Sequence, residues 1–204
     1  MNGWNAERVA SICRERCGGM GYLSNSRFGE YLVCAHASCT AEGDNRVLMV
    51  KIVKDMITNI SKNGAKLPEP SLNVVNQIGT FLDVTQLETM LDLFKFREAT
   101  LFKRLIARTT ALKKSGVSGY NILMRETSDN MQDLATAYGE RHTMEACINT
   151  LSKMKNAENV KVMTLVFRLF GIDSIRRDLG FYMVEKAISR AAAEATTQTN
   201  HSVI

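Results

Sequence analysis

Apolar positions recur along most of this chain at steps of three and four, the repeat of an α-helix that buries one face. From about Asn5 to Cys17 the residues Val9, Ile12 and Cys13 share such a face, and Gly18-Gly19 predicts the stop. Residues 18 to 45 break the pattern. Gly18, Gly19, Gly21, Gly29 and Gly43 fall there among Ser, Asn and Cys, which predicts an irregular glycine-rich connection with a strand-like apolar run after Glu30. The helical repeat returns at Arg46 with Met49, Ile52, Val53, Met56 and Ile60. Both prolines, Pro68 and Pro70, lie in the next stretch, so 63–84 reads as a linker with at most a short helix.

Thr85-Gln86-Leu87-Glu88 then has the form of a capping box. Behind it Leu87, Leu91, Phe94, Leu101, Leu105 and Leu112 line a long amphipathic helix that ends near Lys114-Ser115-Gly116. A second runs from about Asn121 to Asn156 with Met131, Leu134, Tyr138, Ile148 and Leu151 inward. Val160, Met163, Phe167 and Phe170 mark a third, closed by Gly171. Ile175, Leu179, Met183 and Ala187 begin a fourth, which decays into a polar tail from Thr196 to Ser202.

The expected architecture is all-α. Residues 1–62 form a partial helical domain, 63–84 a linker, 85–195 an antiparallel bundle with short connections, and 196–204 a flexible tail. Two helices cannot bury their faces alone, so the first third is expected to be part of a domain whose other helices lie elsewhere.

Composition sharpens this reading. The 204 residues carry 11 Met, 2 Pro and 7% aromatics, which suits packed helices in a soluble, globular protein better than a β-sandwich. The net charge of +5 is spread along the chain rather than gathered on one face, so a nucleic-acid partner is not expected. No apolar run reaches the ~18 residues that span a bilayer, and Met1-Asn2-Gly3-Trp4-Asn5 does not begin a signal peptide. The chain ends Ser202-Val203-Ile204, which is not the Ser-Lys-Leu peroxisomal address. Five cysteines, an odd number, argue against a disulfide framework. Cys13, Cys17, Cys34 and Cys39 lack the tight Cys-x-x-Cys spacing of structural zinc, and His36 among them does not supply it, so no metal is expected. Cys13 and Cys17 read instead as small apolar residues one helical turn apart.

Two segments carry candidate chemistry. Gly18-Gly19 permits close approach of the backbone to a phosphate or a ring, although a double glycine after a helix is commonly a plain stop. Glu42 is a loop carboxylate flanked by Thr40, Ala41 and Gly43, just ahead of an apolar helix. Read without further context, it is an acid favoured by the helix dipole. His142 falls one turn beyond Tyr138 on the inward side of its helix and reads as a satisfied core histidine.

Taken together, Cys13-Arg-Glu-Arg-Cys-Gly-Gly-Met-Gly-Tyr22 and Cys39-Thr-Ala-Glu-Gly-Asp-Asn45 resemble paired motifs of the acyl-CoA oxidases, flavoprotein relatives of the acyl-CoA dehydrogenases. Leu101–Arg108, Ala137–His142 and Leu165–Gly180 are similar to stretches of those enzymes' C-terminal domain, and the likeness extends from about Trp4 to Ala195.

The resemblance implies oxidation of a fatty acyl-CoA to the trans-2-enoyl-CoA, with FAD as cofactor and O₂ as final acceptor, in peroxisomal fatty acid β-oxidation. It implies Glu42 as the base that takes the α-proton. It also implies Gly18, Gly19, Gly43, Asp44 and Asn45 as FAD contacts, partly to the FAD of a partner subunit. A homodimer, or a partner chain supplying the missing parts, is implied as well. Asp44-Asn45 after Gly43 favours the oxidases over the dehydrogenases, whose motif more often reads Glu-Gly-Thr.

Three departures stand out. Ala41 replaces an aromatic, Met20 replaces a histidine, and the acyl-binding and flavin-holding domains are not in this sequence. The chain by itself is therefore expected to be colourless and inert towards acyl-CoA. The alternatives are a non-catalytic helical assembly subunit derived from the family, or an acyl-CoA dehydrogenase.

Overall fold

The computed structural model describes residues 2–41, 43–70, 83 and 85–198. Among them every regular element is helical, as the spacing of apolar positions predicts. The chain forms two compact units, Met1–Asn59 and Ile60–Ile204.

The first unit opens with α1 (Asn2–Arg16), passes through 3₁₀ turns at Gly18–Tyr22 and Ser24–Ser26, and continues into α2 (Phe28–Ser38) and α3 (Asn45–Asn63). Helices α1 and α2 form an antiparallel hairpin. Gly3 lies against Ser38 and Cys39 at one end, and Glu7 faces His36 at 4.0 Å. Residues 18–38 are thus a succession of 3₁₀ turns and α-helix rather than an irregular connection. The run after Glu30 is helix, not strand, because its amides are taken up by carbonyls one turn back, beginning with Tyr31 N–H to Arg27 O.

The face of α1 expected inward is open in this chain. Val9, Ile12 and Cys13 are all exposed, as are Cys17 and Cys34. The small-apolar reading of Cys13 and Cys17 is therefore not met by burial among the described residues. On α3 the i, i+4, i+7 set Met49, Val53 and Met56 is buried.

The second unit contains α4 (Leu87–Lys114), the short α5 (Gly119–Asn121) running into a π turn (Ile122–Glu126), α6 (Ser128–Lys153), α7 (Ala157–Arg177), α8 (Leu179–Val184) and α9 (Arg190–Gln198). Its core joins Leu87, Met90, Leu93 and Phe94 of α4 to Met144, Ile172, Ile175, Tyr182, Ile188 and Ala192. These side chains come from five successive stretches of chain, and burial of each large one is worth roughly 1.5–3 kcal/mol.

Several boundaries differ from the pattern-based expectation, each for a local reason. Helix α4 has no capping box. Thr85 sends its amide and hydroxyl to Asp83 Oδ1 instead, Gln86 Nε2 donates to Asp83 Oδ2, and these bonds hold the Asp83 carboxyl below its usual range. The helix expected over 121–156 is interrupted at Thr127, whose N–H and hydroxyl both bond to Ile122 O. It ends at Lys153, and Asn156 instead caps α7 by accepting from Glu158 and Asn159 N–H.

Gly171 does not close a helix. It lies inside α7, where a Cβ would sit 2.2 Å from Met90 Sδ, so it is a packing glycine. The expected fourth helix is in fact the end of α7 plus α8 and α9, with breaks at Asp178 and at Lys186, which has φ 57°. Helix α9 runs on to Gln198 and buries Thr196, whose hydroxyl bonds to Ala192 O.

Candidate active site

Candidate residues Gly18, Gly19, Gly43, Asp44 and Asn45 all belong to the first unit. Glu42 lies outside the described residues. The hairpin places the two candidate segments at opposite ends. Gly18 and Gly19 follow α1 at the end where α2 begins, whereas Gly43–Asn45 follow α2 and start α3. Eleven residues of α2 at 1.5 Å rise separate the ends by about 16 Å. The two motifs therefore do not close around one small ligand.

Gly18 (φ 56°) ends α1 in the left-handed region that glycine reaches without strain. A Cβ on either Gly18 or Gly19 would meet nothing within 4 Å. The close approach that the double glycine suggests occurs instead at Gly21, where a Cβ would lie 2.1 Å from the Arg14 carbonyl oxygen. Sequence reading missed this residue because Gly21 is one glycine among five, and only the fold of the turn onto α1 singles it out.

The two glycines are separable by experiment. Gly21→Ala is expected to cost about 1–3 kcal/mol, because the obstruction is backbone that cannot swing away. Gly19→Ala should stay within roughly 0.5 kcal/mol. Thermal melts of the chain check both. A loss of flavin affinity when Gly19→Ala is placed in the full-length enzyme, at unchanged stability, would mark Gly19 as a ligand contact.

At the other end the turn between α2 and α3 is closed by Ala41 N–H to Ala37 O (2.8 Å), Gly43 N–H to Thr40 O (3.0 Å) and Asn45 N–H to Cys39 O (3.3 Å). Gly43 has φ 114°, which a side chain would strain. Asp44 Oδ1 accepts from the N–H groups of Arg46 (2.9 Å) and Val47 (3.1 Å), so this carboxylate caps α3. Asn45 is half-buried, and its Nδ2 is buried with no hydrogen-bond partner among the described residues. An orphaned amide donor costs on the order of 1–3 kcal/mol unless something accepts from it. It suits an acceptor-rich ligand such as a flavin or a dinucleotide phosphate. Gly18 and Gly19, exposed and unobstructed, suit backbone contact with such a group. The residues present are thus compatible with FAD.

His142, expected in the core, is exposed on α6. Its ring packs edge-on against Tyr138 at 4.2 Å, Nε2 lies 3.0 Å from Arg141 Nη2, and Nδ1 is 3.6 Å from Glu145. The buried charged groups on this helix are instead its neighbours Glu140, bound to Arg97, and Arg141, bound to Glu98.

Among the described residues no set of three or more His, Cys, Asp or Glu is placed to hold a metal ion. None of the helices there is long and apolar enough to cross a membrane.

Comparison with known proteins matches this architecture to one family. The family model for the acyl-CoA oxidase C-alpha1 domain matches residues 1–57, and that for acyl-CoA oxidase matches residues 86–203. Among curated relatives, the peroxisomal acyl-coenzyme A oxidase 2 of Arabidopsis thaliana is 24% identical over 86% of this chain and 27% of its own length. An acyl-coenzyme A oxidase of Debaryomyces hansenii is 29% identical over 84% of this chain and 22% of its own. The crystal structure of acyl-CoA oxidase3 from Yarrowia lipolytica superposes with a TM-score of 0.82 at 21% identity, covering 98% of this chain and 30% of that one. The chain thus spans less than a third of the length of these relatives. With both family models matched in order along an all-helical chain, the protein belongs to the acyl-CoA oxidase family and corresponds to its C-terminal portion.

Proposed function

We propose that this chain is the C-terminal part of a flavin-dependent acyl-CoA oxidase that converts fatty acyl-CoA to the trans-2-enoyl-CoA. The observation that carries the reading is the division of labour at the start of α3. The role that would account for Glu42 without chemistry, an acid at a helix start, is filled by Asp44, whose Oδ1 takes the Arg46 and Val47 amides. That leaves the base as the role we assign to Glu42, two residues earlier in the sequence.

Its task is to accept the proton from the α-carbon of the thioester. A carboxylate does this well at neutral pH when burial raises its pKa. Gly43 and Asp44 shape the backbone that leads into α3, and the Asn45 amide, which has no partner among the described residues, would orient a bound acceptor. Gly18 and Gly19 would present backbone to a distant part of the cofactor or to the cofactor of a partner subunit. When bound, FAD supplies the hydride acceptor for the β-carbon and passes the electrons to O₂ as peroxide.

The reading includes a homodimer, or a partner chain that completes the site, and a peroxisomal location. Relatives from Arabidopsis thaliana and Mus musculus carry the word peroxisomal in their names. The decisive test uses the full-length enzyme or complex that contains this chain. Anaerobic acyl-CoA should bleach its flavin absorbance, and admitting air should restore it with release of one peroxide per enoyl-CoA. A complex that binds flavin but is not bleached by any fatty acyl-CoA would leave the assembly-subunit reading.

A further inference from the structure

We propose that the outward face of α7 docks a second copy of this chain, with the two α7 helices antiparallel. This gives the homodimer of the reading above a surface and rests on no part of the flavin chemistry.

An ordinary surface helix is apolar on one face and polar on the other. Helix α7 is apolar on both. Its inward face carries the buried Gly171, Ile172 and Ile175, with Phe167 and Phe170 packed against the core. The opposite face carries Val162, Leu165, Val166 and Leu169. Val162 is 59% exposed, Leu165 45% and Val166 47%, and Leu169 is half-buried. Single exposed apolar residues need no explanation, but adjoining ones on one helix face mark a surface that something covers.

The charges at the two ends of this face select the occupant. Glu158, Val162, Leu165, Leu169 and Arg176 follow at steps of four, three, four and seven, so they lie along one line of the helix. The line begins with an acid and ends with a base, about 27 Å apart along the axis. An antiparallel second α7, with the two-fold axis level with Phe167, sets Glu158 of each copy opposite Arg176 of the other. The same register sets Leu165 of each against Leu169 of the other. A parallel copy would instead oppose acid to acid and base to base. Both end groups are exposed and able to exchange partners. Glu158 meets Lys161 of its own helix at 3.0 Å, a pair of exposed side chains that contributes little.

Sedimentation velocity of the 204-residue chain, over a concentration series at low ionic strength, tests the proposal. One helix face per copy is a small interface, so a dimer with a Kd of about 10–100 µM is expected. Leu165→Glu should weaken it by at least ~100-fold, because it sets a charge from each copy into the apolar contact. Leu165 is exposed in the single copy, so the Tm of the dilute, monomeric chain should be unchanged. Arg176→Glu turns both end contacts from attraction to repulsion and should weaken the dimer about ten-fold. The double variant Glu158→Arg/Arg176→Glu restores opposite charges in the antiparallel register alone and should return the parent Kd.

A chain that stays monomeric up to about 1 mM would overturn the proposal. So would a dimer indifferent to Leu165→Glu and Arg176→Glu, since another surface would then join the copies. A dimer lost in Arg176→Glu and not regained in the double variant would overturn the antiparallel pairing. None of these results reads the flavin, so the Glu42 assignment fails or stands separately, by the activity of Glu42→Gln.

Discussion

Glu42→Gln is expected to lower turnover by about 10²–10⁴-fold while leaving FAD and acyl-CoA binding nearly intact. Glutamine keeps the shape and hydrogen-bonding reach of the side chain but removes the base, and the rate loss corresponds to roughly 2.7–5.5 kcal/mol of barrier. The contrast is sharpened by Asp44. Its carboxylate caps α3 through the Arg46 and Val47 amides, so Asp44→Ala should cost about 1 kcal/mol of stability and weaken flavin retention before it slows the chemical step. Stopped-flow absorbance of the full-length enzyme separates the two, because flavin reduction by substrate reports the proton and hydride transfer alone. Wild-type reduction by Glu42→Gln would remove the catalytic reading of this chain.

Arg97→Met should destabilise the second unit by about 3–5 kcal/mol, a large share of an ordinary domain's stability. Arg97 is buried on α4 and pairs with Glu140 of α6 and with Asp178 between α7 and α8; Arg177 also reaches Glu140, at 3.2 Å. One guanidinium thus joins three helices, and its removal leaves the buried Glu140 carboxylate with a single, more exposed partner.

Burial already pushes the Glu140 pKa above its ordinary value, opposed by Arg97 and Arg177, and loss of Arg97 should push it further. A carboxyl whose folded pKa lies above its unfolded one contributes stability below the unfolded value, lost as pH rises through the folded one. The deficit of Arg97→Met should therefore be larger at pH 7.5 than at pH 5.5. Thermal melts at the two pH values check this, with a drop in Tm of about 6–20 °C expected at the higher pH. An equal deficit at both would mean that Glu140 is not the group left stranded.

The buried charges mark a limit of reading one chain at a time. Arg97 follows Phe94 by three residues and precedes Leu101 by four, so it falls on the apolar stripe of its helix. Glu98, Glu140 and Arg141 likewise occupy buried positions. The signal was a charge on an inward face. Its partner lay 43 residues away, and only the packing of α4 on α6 brings the two together.

What the sequence determined by itself was the helical class and most of the long helices, because a 3.6-residue repeat of apolar side chains is a local property. It also carried the family, through two motifs whose residue types and order need no coordinates. Helix ends were decided elsewhere. Thr127 breaks a run whose apolar spacing is continuous, because its hydroxyl and amide converge on one carbonyl. Gly171 continues a helix it was expected to end, because Met90 needs the space a side chain would fill. The candidate site divides in the same way. Gly43, Asp44 and Asn45 were legible as a motif, but that Asp44 is the cap and that the Asn45 amide finds no partner among the described residues depend on which groups the turn brings within reach. The roughly 16 Å between this turn and Gly18-Gly19 follows from the antiparallel pairing of α1 and α2, and spacing along a chain cannot set a distance that depends on how helices pack.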